Sequence, residues 1–205
     1  MKINKLSTQR MEDIQSTFGL PPLCAKVLAA KGLANDEIAA LLQEPKLSDP
    51  FCANGVKEVA DRLYQAKQKK EKVLVCGDYD ADGICATAIM VDALRSYGID
   101  CGFYIPNRFS EGYGLHENTV GLAKQKGYTL LITVDNGVKA KTALSFAHTM
   151  GIDVIVTDHH SMDEEVTCLQ LVHPTLMGES FTTLSGAGVA LMLSRALIGE
   201  KKEHV

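Results

Sequence analysis

No two cysteines in this 205-residue chain stand in C-x-x-C spacing. The six (Cys24, Cys52, Cys76, Cys85, Cys101 and Cys168) are scattered, so neither a zinc knuckle nor a disulfide framework is expected. They read as reduced, mostly buried thiols of a cytosolic protein. No stretch reaches ~18 uninterrupted apolar residues, so no membrane-spanning helix is expected. The polar start, Met1 to Arg10, has no apolar core, so no signal peptide is expected either. Positive charge is not in excess. The net charge of −4 argues against a dedicated basic nucleic-acid surface while allowing a local one. Internal repeats and low-complexity tracts are also missing. What remains is a chain that is 46% hydrophobic, long enough for one α/β domain with a helical extension or for two small domains.

The first 70 residues carry helical signals. Ser7 or Thr8 can cap a helix running to Phe18, and Pro21-Pro22 breaks it. Pro22 can open a second helix to Ala30, stopped by Gly32, and Asn35 is expected to cap Asp36–Leu42. The spacing of Val27, Leu28 and Leu33, with Leu41-Leu42, predicts small packed helices. Glu44 to Asn54, with Pro45 and Pro50, reads as a connector. Val56, Val59, Ala60, Leu63 and Ala66 then give helical periodicity, ending in Lys67, Lys69 and Lys70. That basic end suits the negative end of a helix dipole and reads as a solvated terminus rather than a DNA patch.

From Val73 onward strands and helices alternate. Strands are expected at 73–76, 101–105, 129–134, 153–157 and, weakly, 169–172. Helices are expected at 84–97, 116–126, 138–149 and 186–198. Several strands are near-continuous apolar runs, such as Leu130-Leu131-Ile132-Thr133-Val134, which predicts a parallel sheet flanked on both faces by helices. The expected division is a small helical extension, residues 1–70, before an α/β domain, residues 71–205.

In an open parallel sheet, functional groups gather beyond the carboxyl ends of the strands. Three predicted strand ends carry carboxylate or imidazole groups. The first gives Asp78, Asp80 and Asp82 in Gly77-Asp78-Tyr79-Asp80-Ala81-Asp82-Gly83. The third gives Asp135 in Val134-Asp135-Asn136-Gly137, and the fourth gives Asp158, His159 and His160. Clustered carboxylates stay ionised together only with a positive partner, and a divalent metal is the simplest one. Mixed carboxylate and imidazole donors suit Mn²⁺, Mg²⁺ or Fe²⁺ better than Zn²⁺. Taken singly, each feature has an ordinary explanation. Asp135 could cap a helix, Asn136-Gly137 could be a plain turn, and a His-His pair is more often structural. An EF-hand requires Glu at the loop's twelfth position, where this chain has Ile89. The loop is not G-x-G-x-x-G, and its carboxylates would repel a pyrophosphate. The conjunction of all three strand ends is what favours a metal centre. His116, His148, His173 and His204 read as surface or packing residues.

With Asp80-Ala81-Asp82, Asp135-Asn136-Gly137 and Asp158-His159-His160 in that order, the sequence resembles the DHH phosphoesterase superfamily. Three further stretches resemble its RecJ-type single-strand-specific 5′→3′ exonucleases. They are the Gly77–Gly83 loop, Pro106-Asn107-Arg108 with Glu111-Gly112-Tyr113-Gly114, and Ser185-Gly186-Ala187-Gly188. The resemblance implies a two-metal site for Mn²⁺ or Mg²⁺ that hydrolyses phosphodiesters in single-stranded DNA, in repair and recombination. Asp80 and Asp82 would ligate one metal each and Asp135 would bridge them. His159 would join the metal held by Asp82. His160 would contact the scissile phosphate and Asp158 would orient the histidines. Arg108 would grip a substrate phosphate. Cys76 stands where some members have a histidine, so Asp78 or water would complete that metal's shell. The superfamily's further metal-ligating aspartate and its C-terminal substrate-binding domain have no match before Val205. The resemblance therefore also leaves two other readings: a phosphodiesterase of oligonucleotides or cyclic dinucleotides, and a truncated metal- or nucleotide-binding module inactive in isolation.

Overall fold

The computed structural model describes residues 8–43, 47–162 and 165–199. The chain divides into two compact units, Met1–Leu47 and Ser48–Val205.

The smaller unit holds α1 (Thr8–Phe18), α2 (Pro22–Lys31) and α3 (Asn35–Leu42). Ile14, Ala25 and Ile38, one from each helix, form its buried centre, with Leu28 and Leu33 packed around them. Val27, Leu41 and Leu42, expected in this packing, are instead exposed. These three fall on the solvent-facing sides of α2 and α3. Asn35 is the first helical residue rather than the cap. Its Oδ1 accepts from the Arg10 guanidinium at 2.7 Å, while Glu37 reaches back to the Ala34 N–H at 2.7 Å. Ser7, Pro45 and His204 lie outside the described residues.

The larger unit contains α4 (Val56–Gln68), β1 (Val73–Cys76), α5 (Ala81–Tyr97), β2 (Cys101–Tyr104), α6 (Glu117–Gln125), β3 (Leu130–Val134) and α7 (Lys141–Thr149). Then follow β4 (Asp153–Thr157), β5 (Gln170–Val172), α8 (Pro174–Met177) and α9 (Gly186–Ile198). The five strands form one all-parallel sheet in the order β2-β1-β3-β4-β5. Alternation along the strands explains the layers. Val73, Val75, Leu130, Ile132 and Val134 face one side and pack with apolar residues of α4, α5 and α9. Leu74, Cys76, Leu131, Val154 and Val156 face the other and pack against α6 and α7. α4, which the sequence reading placed in the extension, thus buries Val56, Val59, Leu63 and Ala66 with the sheet.

Two further expectations need correction. Cys24, Cys52 and Cys85 are exposed, so the thiols are not mostly buried, although all six cysteines are free. α5 begins at Ala81 rather than Ile84 because Asp80 caps it, accepting from the Gly83 N–H at 2.9 Å. Among the described residues no helix is long and apolar enough to cross a membrane.

Candidate metal centre

The sheet order places a switch point between β1 and β3. β1 connects outward to β2 on one side, while β3 and β4 continue on the other. Such an order opens a crevice beyond the strand ends at the switch point. The acidic loop after β1 and Asp135 after β3 both enter it. Asp78 is buried, 1% exposed, and its Oδ1 has no hydrogen-bond partner. Burial, with the neighbouring Asp80 charge, raises its carboxyl above the ordinary range. Gly83 makes this approach possible, since a Cβ there would lie 2.7 Å from the Asp78 Cβ.

Asp135 is the most constrained of the carboxylates. Its φ is 62°, a left-handed conformation that costs a non-glycine residue about 1–2 kcal/mol. Two side chains hold the turn. The Asn136 amide donates to Cys76 O at 3.0 Å and Val134 O at 2.9 Å, and the Tyr113 hydroxyl donates to Asp135 O at 2.9 Å. The carboxylate itself is 0% exposed and neither oxygen has a hydrogen bond, while Oδ1 lies 3.1 Å from His159 Nε2, an ion pair only when that ring is protonated. Burial, with the Asp82 and Asp80 charges, pushes its carboxyl up to about 7. It does not cap the following helix, which starts at Lys141. Gly186 of α9 approaches so closely that a Cβ there would overlap the Asp135 side chain.

The end of β4 is built differently. Asp158 Oδ1 accepts from the N–H groups of His159 at 2.7 Å and His160 at 3.1 Å, and Oδ2 accepts from Val138 N–H at 3.1 Å. His160 Nδ1 lies 2.8 Å from Asp158 Oδ1 and 3.0 Å from the Tyr113 hydroxyl. The single Tyr113 proton goes to the Asp135 carbonyl, which can only accept. Both neighbours of Nδ1 are therefore acceptors, so Nδ1 carries the proton and Nε2 of the neutral ring is left with a free lone pair. Burial, with the charges of Asp158, Asp135 and Asp78, raises the Tyr113 phenol, so it remains protonated.

Two sets of donor atoms converge: Asp78, Asp80 and Asp135, and Asp135, His159 and His160. Asp135 is common to both. Asp78 Oδ1 and both Asp135 oxygens lack a hydrogen bond, and beside a neutral His159 the Asp135 charge has no counter-ion, so a cation suits them. Asp82 stands at the edge, 3.5 Å from His159 Nε2. Its oxygens accept from Ser185 Oγ and Ala187 N–H at 2.9 Å and from Gly186 N–H at 2.8 Å. Partial burial works against its charge, but the donors of Ala187, Ser185 and Gly186 outweigh it and hold the carboxyl below its ordinary value. Arg108 lies on the loop after β2, its guanidinium 5.4 Å from the centroid of the Tyr79 ring. Cys76 is buried, and burial pushes its thiol up to about 12, the state of a packing residue rather than a ligand.

Three participants had no visible role in the sequence. Tyr113 links Asp135 to His160, Gly186 makes room for Asp135, and His173 reaches the His160 carbonyl at 2.9 Å. The first two fall in motifs that marked the resemblance, but their tasks depend on partners distant in the chain.

Comparison with known proteins identifies the family. The DHH family, N-terminal domain, matches residues 72–205. The single-stranded-DNA-specific exonuclease RecJ of Bacillus subtilis (strain 168) is 38% identical over 210 residues, covering 100% of this chain and 27% of the relative. A crystal structure of exonuclease RecJ bound to manganese shares 37% identity at a TM-score of 0.66, over 71% of this chain and 37% of that one. RecJ from Thermus thermophilus has been solved with Mn²⁺ (29% identity, TM-score 0.69, 93% of this chain and 27% of that one). Its Mg²⁺ complex matches at 27% identity and a TM-score of 0.55, over 93% of this chain and 23% of that one. The chain therefore spans 27% of the Bacillus subtilis relative and 23% to 37% of these solved chains. With the match running across the sheet and its acidic rim, this chain belongs to the DHH family.

Proposed function

We propose that this chain carries the catalytic centre of a metal-dependent exonuclease that degrades single-stranded DNA from its 5′ end, in repair and recombination. The observation that carries the reading is Asp135, buried with no hydrogen bond to either oxygen, 3.1 Å from His159 Nε2 and shared by two converging donor sets. Asp78, Asp80 and Asp135 would hold one divalent cation. Asp135 and His159 would hold the second, with Asp82 beside His159. Relatives crystallised with Mn²⁺ and Mg²⁺ support those two ions. A bound pair of such cations supplies neutralisation of charge on a phosphate's non-bridging oxygens and makes water more acidic.

The chain's own residues supply the rest. His160 would contact the scissile phosphate through Nε2 when that nitrogen also carries a proton, with Asp158 and Tyr113 holding the ring by its Nδ1–H. Arg108 offers a planar guanidinium for a phosphate further along the strand, braced on the face of Tyr79. Single-strand selectivity comes from a narrow entrance and from base stacking. Because the chain spans 27% of the B. subtilis relative, part of the substrate grip belongs to sequence outside residues 1–205. That small share also supports a companion proposal: the isolated 205-residue chain binds the metal with little turnover. Six free thiols fit a reducing cytoplasm, where we place the enzyme.

The test is the full-length enzyme with Mn²⁺, given 5′-labelled single strands, duplexes and cyclic dinucleotides in parallel. Single strands should be degraded fastest, and Asp135→Ala should lower the rate at least about a thousand-fold. Faster turnover of dinucleotides would transfer the reading to a small-nucleotide phosphodiesterase. Full activity in the Asp135→Ala enzyme would remove its shared-ligand role.

A further inference from the structure

His173 is buried, 3% exposed, where β5 passes into α8. Every polar atom of its ring is engaged. Nδ1 lies 2.8 Å from Thr175 Oγ1 and 3.3 Å from the Thr175 N–H, and Nε2 lies 2.9 Å from the His160 carbonyl oxygen. A carbonyl can only accept, so Nε2 carries the proton and Nδ1 accepts from Thr175. One neutral tautomer satisfies all three contacts. The Nδ1 side acts as an ordinary helix cap, a task that serine or threonine performs equally well. The far side of the ring reaches the loop after β4.

That loop carries His160, whose ring is held on Nδ1 by Asp158 and Tyr113 and whose N–H is held by Asp158. Its carbonyl is the remaining main-chain group, and His173 takes it. His160 is thus fixed from three directions: the end of β4, the loop after β2, and the β5–α8 junction. Without the third, the peptide following His160 can tilt, and its ring pivots with it. A misplacement of about 1 Å in a reacting group costs up to about a hundred-fold in rate.

We propose that His173 is a positioning residue for His160, acting through the main-chain carbonyl and touching neither metal nor substrate. The assignment rests on the reading of His160 as a phosphate contact.

Two substitutions separate the two halves of the ring. His173→Ser keeps an oxygen to cap α8 and cannot reach His160. His173→Gln keeps a donor near the position of Nε2 and gives up the cap. In the full-length enzyme, His173→Ser should lower kcat at least about ten-fold, with KM and the Mn²⁺ Kd within about two-fold. Amide exchange in a peptide spanning 157–162, read by mass spectrometry without metal, should speed up at least about five-fold. His173→Gln should restore both readouts to within about three-fold of the parent. In a His160→Ala background, His173→Ser should cost little more, because the two act as one unit. A kcat within two-fold in His173→Ser, unchanged exchange at 157–162, or losses that multiply with His160→Ala would each overturn the proposal. Should His173→Ser not fold, fast exchange at 157–162 in His173→Gln would overturn it, and parent-like exchange would support it. If the parent enzyme degrades no single strands, the nuclease reading fails, and the exchange measurement still decides whether His173 holds the loop.

Discussion

β3 and β4 run side by side, with Val134 paired to Thr157, and each ends in a buried aspartate. The two carboxylates are treated in opposite ways. Asp158 accepts three main-chain N–H groups as well as the His160 ring, so its charge organises a loop. Asp135, one strand over, accepts no hydrogen bond, and its neighbours are His159 Nε2, 3.1 Å away, and further carboxylates. A buried anion without donors is unstable unless a proton or a cation joins it. Burial alone is common to both sites. The missing donors mark the one at β3 as unfinished in the protein alone. The same contrast separates Asp82, saturated by the start of α9, from Asp78, which leaves one oxygen orphaned.

The strongest way to test this contrast is to fill the space that Asp135 needs. Gly186→Ala places a methyl group where the Asp135 carboxylate lies. Activity should fall at least about a hundred-fold, and urea denaturation should show a loss of about 1–3 kcal/mol. Gly121→Ala on α6 is the control, since a Cβ there meets nothing within 4 Å. It should be neutral or slightly stabilising. Equal outcomes for the two would show that Asp135 has room to move and that its geometry is not specified.

A pair of substitutions should differ in sign. Asp158→Ala strands the N–H groups of Val138, His159 and His160 and should destabilise the metal-free protein by about 2–4 kcal/mol. Asp135→Asn removes a buried charge of similar size and should stabilise the metal-free protein by about 1–2 kcal/mol, while abolishing the rise in Tm on adding Mn²⁺. Destabilisation by both would erase the distinction between the two strand ends.

Much of this was visible in the chain itself, and the gaps have physical causes. The strands β1, β3 and β4 match their predicted spans within a residue, because buried parallel strands are continuous apolar runs. Their carboxyl ends carried the acidic and imidazole groups, so the rim was legible too. The start of α5 was not, because Gly83 reads as a break, whereas it serves to admit Asp78. α8 is a single turn with too little length for any periodicity. His173 and Gly186 escaped because each acts on a residue of another strand end, His160 and Asp135 respectively, and sequence spacing carries no such distance.

The mildest test uses pH in the absence of metal. The Asp135 carboxyl sits at about 7 in the folded protein against an ordinary 3.8, and Asp78 is shifted in the same direction. Between about pH 4 and 7 the folded state therefore holds a proton that the unfolded state has released. Stability from this source is complete below pH 4 and is lost as pH rises through 7, with a slope no steeper than about 1.4 kcal/mol per pH unit for each such group. Asp82, lowered by its donors, has the opposite dependence: its contribution is present at neutral pH and disappears in acid below its ordinary value. Urea denaturation of chelator-treated protein should thus show declining stability from pH 5 to 7 and little further change to pH 8. Asp135→Asn should flatten the decline, and Mn²⁺ should reverse it, because a cation takes the place of the proton. A metal-free protein that gains stability over that interval would mean that Asp135 stays charged beside a protonated His159, 3.1 Å away, and that the ends of β3 and β4 both carry a satisfied charge.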